Sequence, residues 1–499
     1  MTRSIMFQGT ASDSGKSWLA AGLCRILRDD GLRVVPFKSQ NMALNSFITK
    51  EGNEMGRAQV FQAEAAGVAP DVRMNPILLK PSTDKASQVV FLGKVLSDMD
   101  AVDYQAFKPQ LKDKVQQVYQ DLAAENDVVV LEGAGSPAEI NLNEHDLVNM
   151  GMARMADAPV ILVADIDKGG VFAAIYGTIK LLPPADQKRV KGIVINKFRG
   201  DETLLTPGNK MIEDLTGVPV LGVIPMSDVD LDEEDSVALT GKSREVDTSK
   251  ALDIAVISLT KISNFTDFHS LELQPDVSVR YVLKPEELGQ PDLLIIPGSK
   301  NTNEDMAYLT KTGLAEAIKQ AHQHGSMVCG ICGGYQIIGR ELHDEQQVES
   351  AIKQQAGLGL VDAVTYFNPT KTTTQAEAWH DDFKLTGYEI HMGTTKLGPQ
   401  AQPYTKIVAN NGVKTERLDG AINADGSVFG TYLHGIFDNQ LWTRHLLNQL
   451  RQRKGLEPIY TPGVSLNVYK EQQYDKLAAT LRQHLDMPAI YQILADSEH

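Results

Sequence analysis

The sequence predicts an α/β protein built from two doubly wound domains, the first carrying a phosphate-binding loop. Three observations carry this expectation. Short continuous apolar runs, Val128-Val129-Val130-Leu131 and Val160-Ile161-Leu162-Val163 among them, suit strands buried on both faces of a parallel sheet. A glycine-rich loop, Gly9-Thr10-Ala11-Ser12-Asp13-Ser14-Gly15-Lys16-Ser17, follows the first apolar run and opens a helical stretch over 16–28. A second series of strands and helices begins near residue 253, beyond a polar stretch.

Taken in order, strands are expected at 4–8, 33–37, 127–131, 160–164, 192–196 and 220–224. In the second series they are expected at 253–258, 278–282, 293–297, 328–331 and 428–432. The implied organisation is a nucleotide domain over 1–235, a linker over 236–251, a second domain over 252–455 and a helical tail over 456–499. The acidic stretch Asp228-Val229-Asp230-Leu231-Asp232-Glu233-Glu234-Asp235 reads as a solvated boundary, or as carboxylate pairs able to bind a metal.

Composition narrows the partners. With 48 basic and 64 acidic residues among 499, the net charge is −16, which argues against nucleic acid or an anionic membrane as a general partner. No apolar run approaches the roughly 20 residues of a membrane span. The N-terminal residues run straight into the glycine-rich loop, so no cleaved signal peptide is expected. Three cysteines, at 24, 329 and 332, are too few for a disulfide framework and fit a reducing cytoplasm.

In the glycine-rich loop, backbone N–H groups and the helix start can cradle phosphates. Gly9, Thr10, Ser14 and Gly15 shape the cradle, Lys16 supplies a point charge, and the Ser17 hydroxyl can ligate magnesium. Five residues separate Gly9 from Gly15 where the standard loop has four. Glu132 ends a buried strand and is the expected second magnesium ligand. Asn196 ends another strand, either against the adenine or as a simple strand cap. The segment Lys38-Ser39-Gln40-Asn41-Met42-Ala43-Leu44-Asn45 lies at an edge where α/β folds bind ligands, so Lys38, Gln40 and Asn41 are candidates for an anionic substrate or a transferring phosphoryl group.

The second domain holds Met327-Val328-Cys329-Gly330-Ile331-Cys332-Gly333-Gly334-Tyr335-Gln336, which reads as strand, sharp turn and helix with Cys332 at the turn. A nucleophile needs that exposure, and a helix N-terminus favours thiolate. The N–H of Gly333 is one oxyanion donor, and the glycine turn at Ser299 can supply another. His434, delivered by the strand of Gly430-Thr431-Tyr432-Leu433-His434-Gly435, is the expected base. Cys329 and Cys332 also form a C-x-x-C, but no second pair completes a zinc site, and Cys329 reads as a core residue.

On these residues together the chain resembles class I, triad-type glutamine amidotransferases fused behind a dethiobiotin-synthetase-like ATP domain. Within that group it is similar to the cobyric acid synthase family of the cobalamin pathway. The likeness rests on the phosphate loop, the 38–45 segment, Pro297-Gly298-Ser299-Lys300-Asn301-Thr302, the cysteine turn, Gly387-Tyr388-Glu389-Ile390-His391-Met392-Gly393 and the histidine segment through Asn439. Some of these segments are shared with cobyrinic acid a,c-diamide synthases, the alternative assignment.

The resemblance implies amidation of the b, d, e and g carboxylates of adenosylcobyrinic acid a,c-diamide, with ATP and glutamine as co-substrates. ATP would phosphorylate a carboxylate, and ammonia released at Cys332 would reach it along a path sheltered from bulk water. Glu389 and His391 are expected at that path or in the substrate pocket. One departure stands out: typical triad amidotransferases place a glutamate two residues after the histidine, and here that position is Ile436. Asp438 is left either as the group orienting His434 or as a surface aspartate.

Overall fold

The computed structural model describes residues 2–82, 86–232, 241–461 and 463–497, which form two compact units. The first comprises Met1–Ala43, Met55–Asp232 and Lys470–His499, and the second Leu44–Glu54 and Glu233–Tyr469. Two segments therefore join units remote from their sequence neighbours.

The first unit is built on a six-stranded sheet ordered Val220–Pro225, Val190–Phe198, Val160–Asp165, Arg3–Gly9, Val128–Glu132, Val34–Phe37. Every adjacent pair is parallel. The valine-rich runs are fully buried, as a sheet covered on both faces requires. The register sets Phe7 beside Glu132 and Gly9 beside Val163, so the strand ends bracket the phosphate loop. Helix Lys16–Asp29 packs Leu19, Leu23 and Ile26 into this core together with Leu477, Leu481 and Ile490 of the C-terminal helices. A smaller sheet of Gln40–Met42, Ile77–Pro81, Ala86–Phe91 and Lys94–Asp100 adds a mostly antiparallel layer that the apolar pattern did not announce.

In the second unit a seven-stranded sheet runs Val277–Val282, Leu252–Ile257, Leu293–Ile296, Met327–Ile331, Val428–Thr431, Ala421–Asn423, Ala401–Gln402. Its first five strands are parallel and its last two antiparallel. Pairing of Ile331 with Thr431 brings the segments beyond both strands to one sheet edge. A long hairpin, Ala363–His380 with Phe383–Leu397, adds a second sheet. The expected α/β class with two parallel-sheet domains holds.

The acidic stretch is not a metal site in its described part. Asp232 is buried between Arg57 at 3.1 Å and Lys470 at 2.6 Å, and Asp228 pairs with Lys476 at 2.6 Å. Glu233, Glu234 and Asp235, with 236–240 of the expected linker, lie outside the described residues. Residues 242–251 form neither helix nor strand. The expected tail contains helices Leu466–His484 and Met487–Ala495.

Candidate active site

In the first unit, Gly15 sits in left-handed backbone (φ 95°), and a Cβ there would lie 2.0 Å from Asn196 Nδ2. That closeness reflects the position of Asn196: its amide donates to the Ser14 carbonyl at 2.9 Å and braces the loop. One amide N–H is used on the loop backbone in this way, which leaves the second N–H and Oδ1 of Asn196 for the other expected role, contact with the adenine. Lys16 Nζ donates to the carbonyls of Ala11 and Gly135 at 2.9 and 3.3 Å, which tethers the loop to the segment after Glu132. The Ser14 hydroxyl is buried without a partner among the described residues.

Glu132 is the hub of this site. Its carboxylate, buried at the strand end, accepts from Ser17 Oγ at 2.7 Å, Lys38 Nζ at 2.9 Å and Gln62 Nε2 at 2.6 Å. Two of these partners, Ser17 and Lys38, were expected at the site; Gln62, on helix Arg57–Ala66, was not. Gln40 lines the cavity beside the loop and accepts from the Tyr104 hydroxyl at 2.5 Å. Asn41 points elsewhere: it is buried, with its amide donating to Gln59 Oε1 at 3.4 Å, so it supports the segment from behind.

In the second unit, Cys332 occupies φ 51°, ψ −107°, a conformation costing a non-glycine residue about 1–3 kcal/mol. Tight packing holds the turn. A Cβ on Gly334 would lie 1.8 Å from the Ile296 carbonyl oxygen, so only glycine fits there. The Cys332 N–H donates to the Thr431 carbonyl at 2.8 Å, and its thiol donates to the Ile390 carbonyl at 3.4 Å. A Cβ on Gly333 would meet the Ser299 backbone nitrogen at 2.8 Å, which sets the two expected oxyanion residues side by side. The Ser299 hydroxyl itself is occupied, donating to Asp305 at 2.6 Å.

His434 is fully buried, stacked on Tyr388 with ring centroids 5.1 Å apart. Its Nδ1 lies 2.7 Å from Asp267 Oδ2, and the other Asp267 oxygen accepts from the Gly435 N–H at 2.9 Å. Burial alone would lower the imidazole pKa; the charges and hydrogen bonds of Asp267 and Cys332 outweigh it and push it up to about 10. The histidine's third member is thus Asp267, carried by the short 3-10 turn Phe265–Phe268. Asp438 does not fill that place: it accepts from Ser270 Oγ at 2.5 Å. Glu389 and His391 flank Ile390 beside the nucleophile. Glu389 is bound by Thr374 at 2.9 Å and by Arg417, while His391 stacks on Tyr432, its pKa lowered by burial to about 4. Cys329 is a core residue whose thiol is held well above its usual range by burial and by the nearby Asp267.

Two family models match the chain: a CobQ/CobB/MinD/ParA nucleotide binding domain over residues 5–237 and a CobB/CobQ-like glutamine amidotransferase domain over 253–442. A cobyric acid synthase of Limosilactobacillus reuteri is 68% identical over 495 residues, covering 99% of both chains. One from Streptococcus sanguinis is 61% identical over 498 residues and covers 100% of both. The chain belongs to the cobyric acid synthase family. A Listeria monocytogenes member is 58% identical across 99% of this chain and 97% of its own. As in this family generally, the chain is a glutamine-hydrolysing, ATP-dependent ligase with the nucleotide domain first and the amidotransferase domain second.

For a cobyric acid synthase relative, Asp267 is, besides Gln62, the site residue that sequence reasoning missed. No motif marks it. The only signal was negative, in the apolar Ile436 two residues past His434.

Proposed function

We propose that this chain converts adenosylcobyrinic acid a,c-diamide to adenosylcobyric acid by amidating its b, d, e and g carboxylates. The observation that carries the reading is a phosphate loop with a buried Glu132 hub and a Cys332–His434–Asp267 constellation in one chain. Relatives named cobyric acid synthase match it end to end.

In the first unit ATP phosphorylates a substrate carboxylate. Gly9, Thr10, Ser14 and Gly15 cradle the phosphates, and Lys16 and Lys38 offset negative charge on the transferring group. The unpartnered Ser14 hydroxyl and the hard oxygens of Ser17 and Glu132, 2.7 Å apart, suit a magnesium nucleotide. Ser17 and Glu132 would hold the ion, which would supply charge neutralisation at the phosphates.

In the second unit Cys332 attacks the glutamine amide carbon. The oxyanion is met by the N–H groups of Gly333 and Ser299, and His434 gives a proton to the departing ammonia. The resulting thioester is hydrolysed by water that His434 deprotonates, releasing glutamate. Asp267 fixes the imidazole orientation and stabilises its protonated form. The enzyme is taken to work in the cytoplasm, where its free cysteines stay reduced; among the described residues, no helix is long and apolar enough to cross a membrane.

The test is product mass after exhaustive reaction with ATP and glutamine. Four amides gained on the a,c-diamide supports the reading. Inertness toward the a,c-diamide, with amidation of cobyrinic acid at a and c only, assigns the chain to the a,c-diamide synthase chemistry instead.

A further inference from the structure

A cavity of about 580 Å³ opens beside the phosphate loop within the first unit. Ser12 of the loop and Gly135, whose carbonyl receives Lys16, both line it, so the cavity reaches the place where a phosphoryl group would be transferred. Lys108 also lines it, at the junction of helices Ala101–Phe107 and Pro109–Ala124. Among the described residues that line the cavity, Lys108 is the only cation.

Lys108 is unusual in its surroundings. It is only 5% exposed and lines the cavity, and among the described residues Asp146 is the carboxylate whose charge acts on its ammonium. Its nitrogen is not sealed in the core but borders the cavity, where an arriving anion can meet it. Burial lowers its pKa, and the more distant charge of Asp146 opposes that shift. Three carboxylates share the cavity wall with it, those of Asp100, Glu139 and Asp146. Asp146 is bound to the N–H groups of Val148, Asn149 and Gly151 at 2.7 to 2.9 Å, and Asp100 caps the N–H groups of Val102 and Asp103.

We propose that Lys108 is a specificity residue that pairs with a peripheral carboxylate of the substrate and holds it toward the phosphate loop. This rests on the functional reading above. It also explains how one site can serve several arms in turn. A carboxylate forms a charge-assisted pair with the ammonium, whereas the amide it becomes is neutral and binds more weakly. Each completed arm therefore loses its hold, and a remaining carboxylate replaces it. Phosphate oxygens of ATP share the same anionic chemistry, and the experiment separates the two.

The variants Lys108→Met and Lys108→Arg are compared with wild type for corrinoid KM, ATP KM and kcat, using ammonium as nitrogen donor. Lys108→Met should raise corrinoid KM by about 10- to 100-fold, the scale of a lost charged hydrogen bond, with ATP KM within about twofold. Lys108→Arg should recover part of the loss. In the wild-type enzyme, without ATP, reductive methylation of Lys108 followed by mass spectrometry gives a reading independent of any variant's folding. The a,c-diamide should protect Lys108 and the fully amidated product should not. Equal protection by both, protection by neither, or a rise confined to ATP KM overturns the proposal. If wild type fails to amidate the a,c-diamide, the functional reading fails; if wild type amidates it and Lys108→Met matches wild type, only the role of Lys108 fails.

Discussion

Asp267 holds His434 from 167 positions earlier in the chain, its Oδ2 2.7 Å from the imidazole Nδ1. The same carboxylate accepts from the Gly435 N–H, so one side chain fixes both the ring and the backbone that carries it. A glutamate two residues beyond the histidine would have to reach back from the segment now occupied by buried Ile436 and Phe437. Supplying the carboxylate from the Phe265–Phe268 turn leaves that segment free to pack in the core.

Asp267→Asn should lower glutaminase kcat by roughly 10²- to 10⁴-fold, the range expected when a histidine loses its orienting carboxylate. Its pH profile should move as well. In wild type the imidazolium, held up to about 10, is lost only as pH rises through that value. Without the Asp267 charge, burial is opposed less, so the pKa falls and the alkaline limb shifts to lower pH. An unshifted limb would mean that Asp267 does not set the histidine's charge.

Asp438→Ala is the matched control. Its partner is Ser270, so glutaminase activity should stay within about threefold of wild type, with an effect on stability of about 1 kcal/mol. Steady-state glutaminase kinetics and thermal melting read the two effects separately.

Lys16→Ala should abolish ATP-dependent amidation with either glutamine or ammonium as donor, by about 100-fold or more. Free glutamine hydrolysis, assayed without corrinoid, should survive, because Lys16 belongs to the first unit and Cys332 to the second. An ATP turnover assay with each donor checks this.

Gly334→Ala should destabilise the second unit by about 1–3 kcal/mol or prevent its folding, through overpacking. The added methyl meets the Ile296 carbonyl oxygen at 1.8 Å, and backbone cannot yield as a flexible side chain does. Thermal melting compared with Gly31→Ala separates crowding from backbone conformation, since Gly31 has open space but positive φ.

The elements legible in the sequence are those whose signal is local. Val128–Glu132 and Val160–Asp165 announce themselves because strands buried on both faces are apolar along their length, here up to the carboxylate at the last position. The turn at Cys332 shows in its flanking glycines, needed where helix and strand backbones nearly touch. What escaped reading depends on distant pairing. Asp267 sits on a four-residue turn with no periodicity, and nothing around it marks it as His434's partner. Asn196 and Asn41 were legible as polar residues near a site, but not the direction their amides face. Helix Leu466–His484 is readable as a helix, yet only the packed core reveals Leu477 and Leu481 against helix Lys16–Asp29.

The central claim is that ammonia made at Cys332 feeds a carboxylate activated at the phosphate loop. Amidation by Cys332→Ser tests it most directly, measured by product mass with glutamine and, separately, with ammonium. Amidation should fail with glutamine and proceed near the wild-type rate with ammonium; loss of both, or retention of both, would contradict the coupling of the two sites.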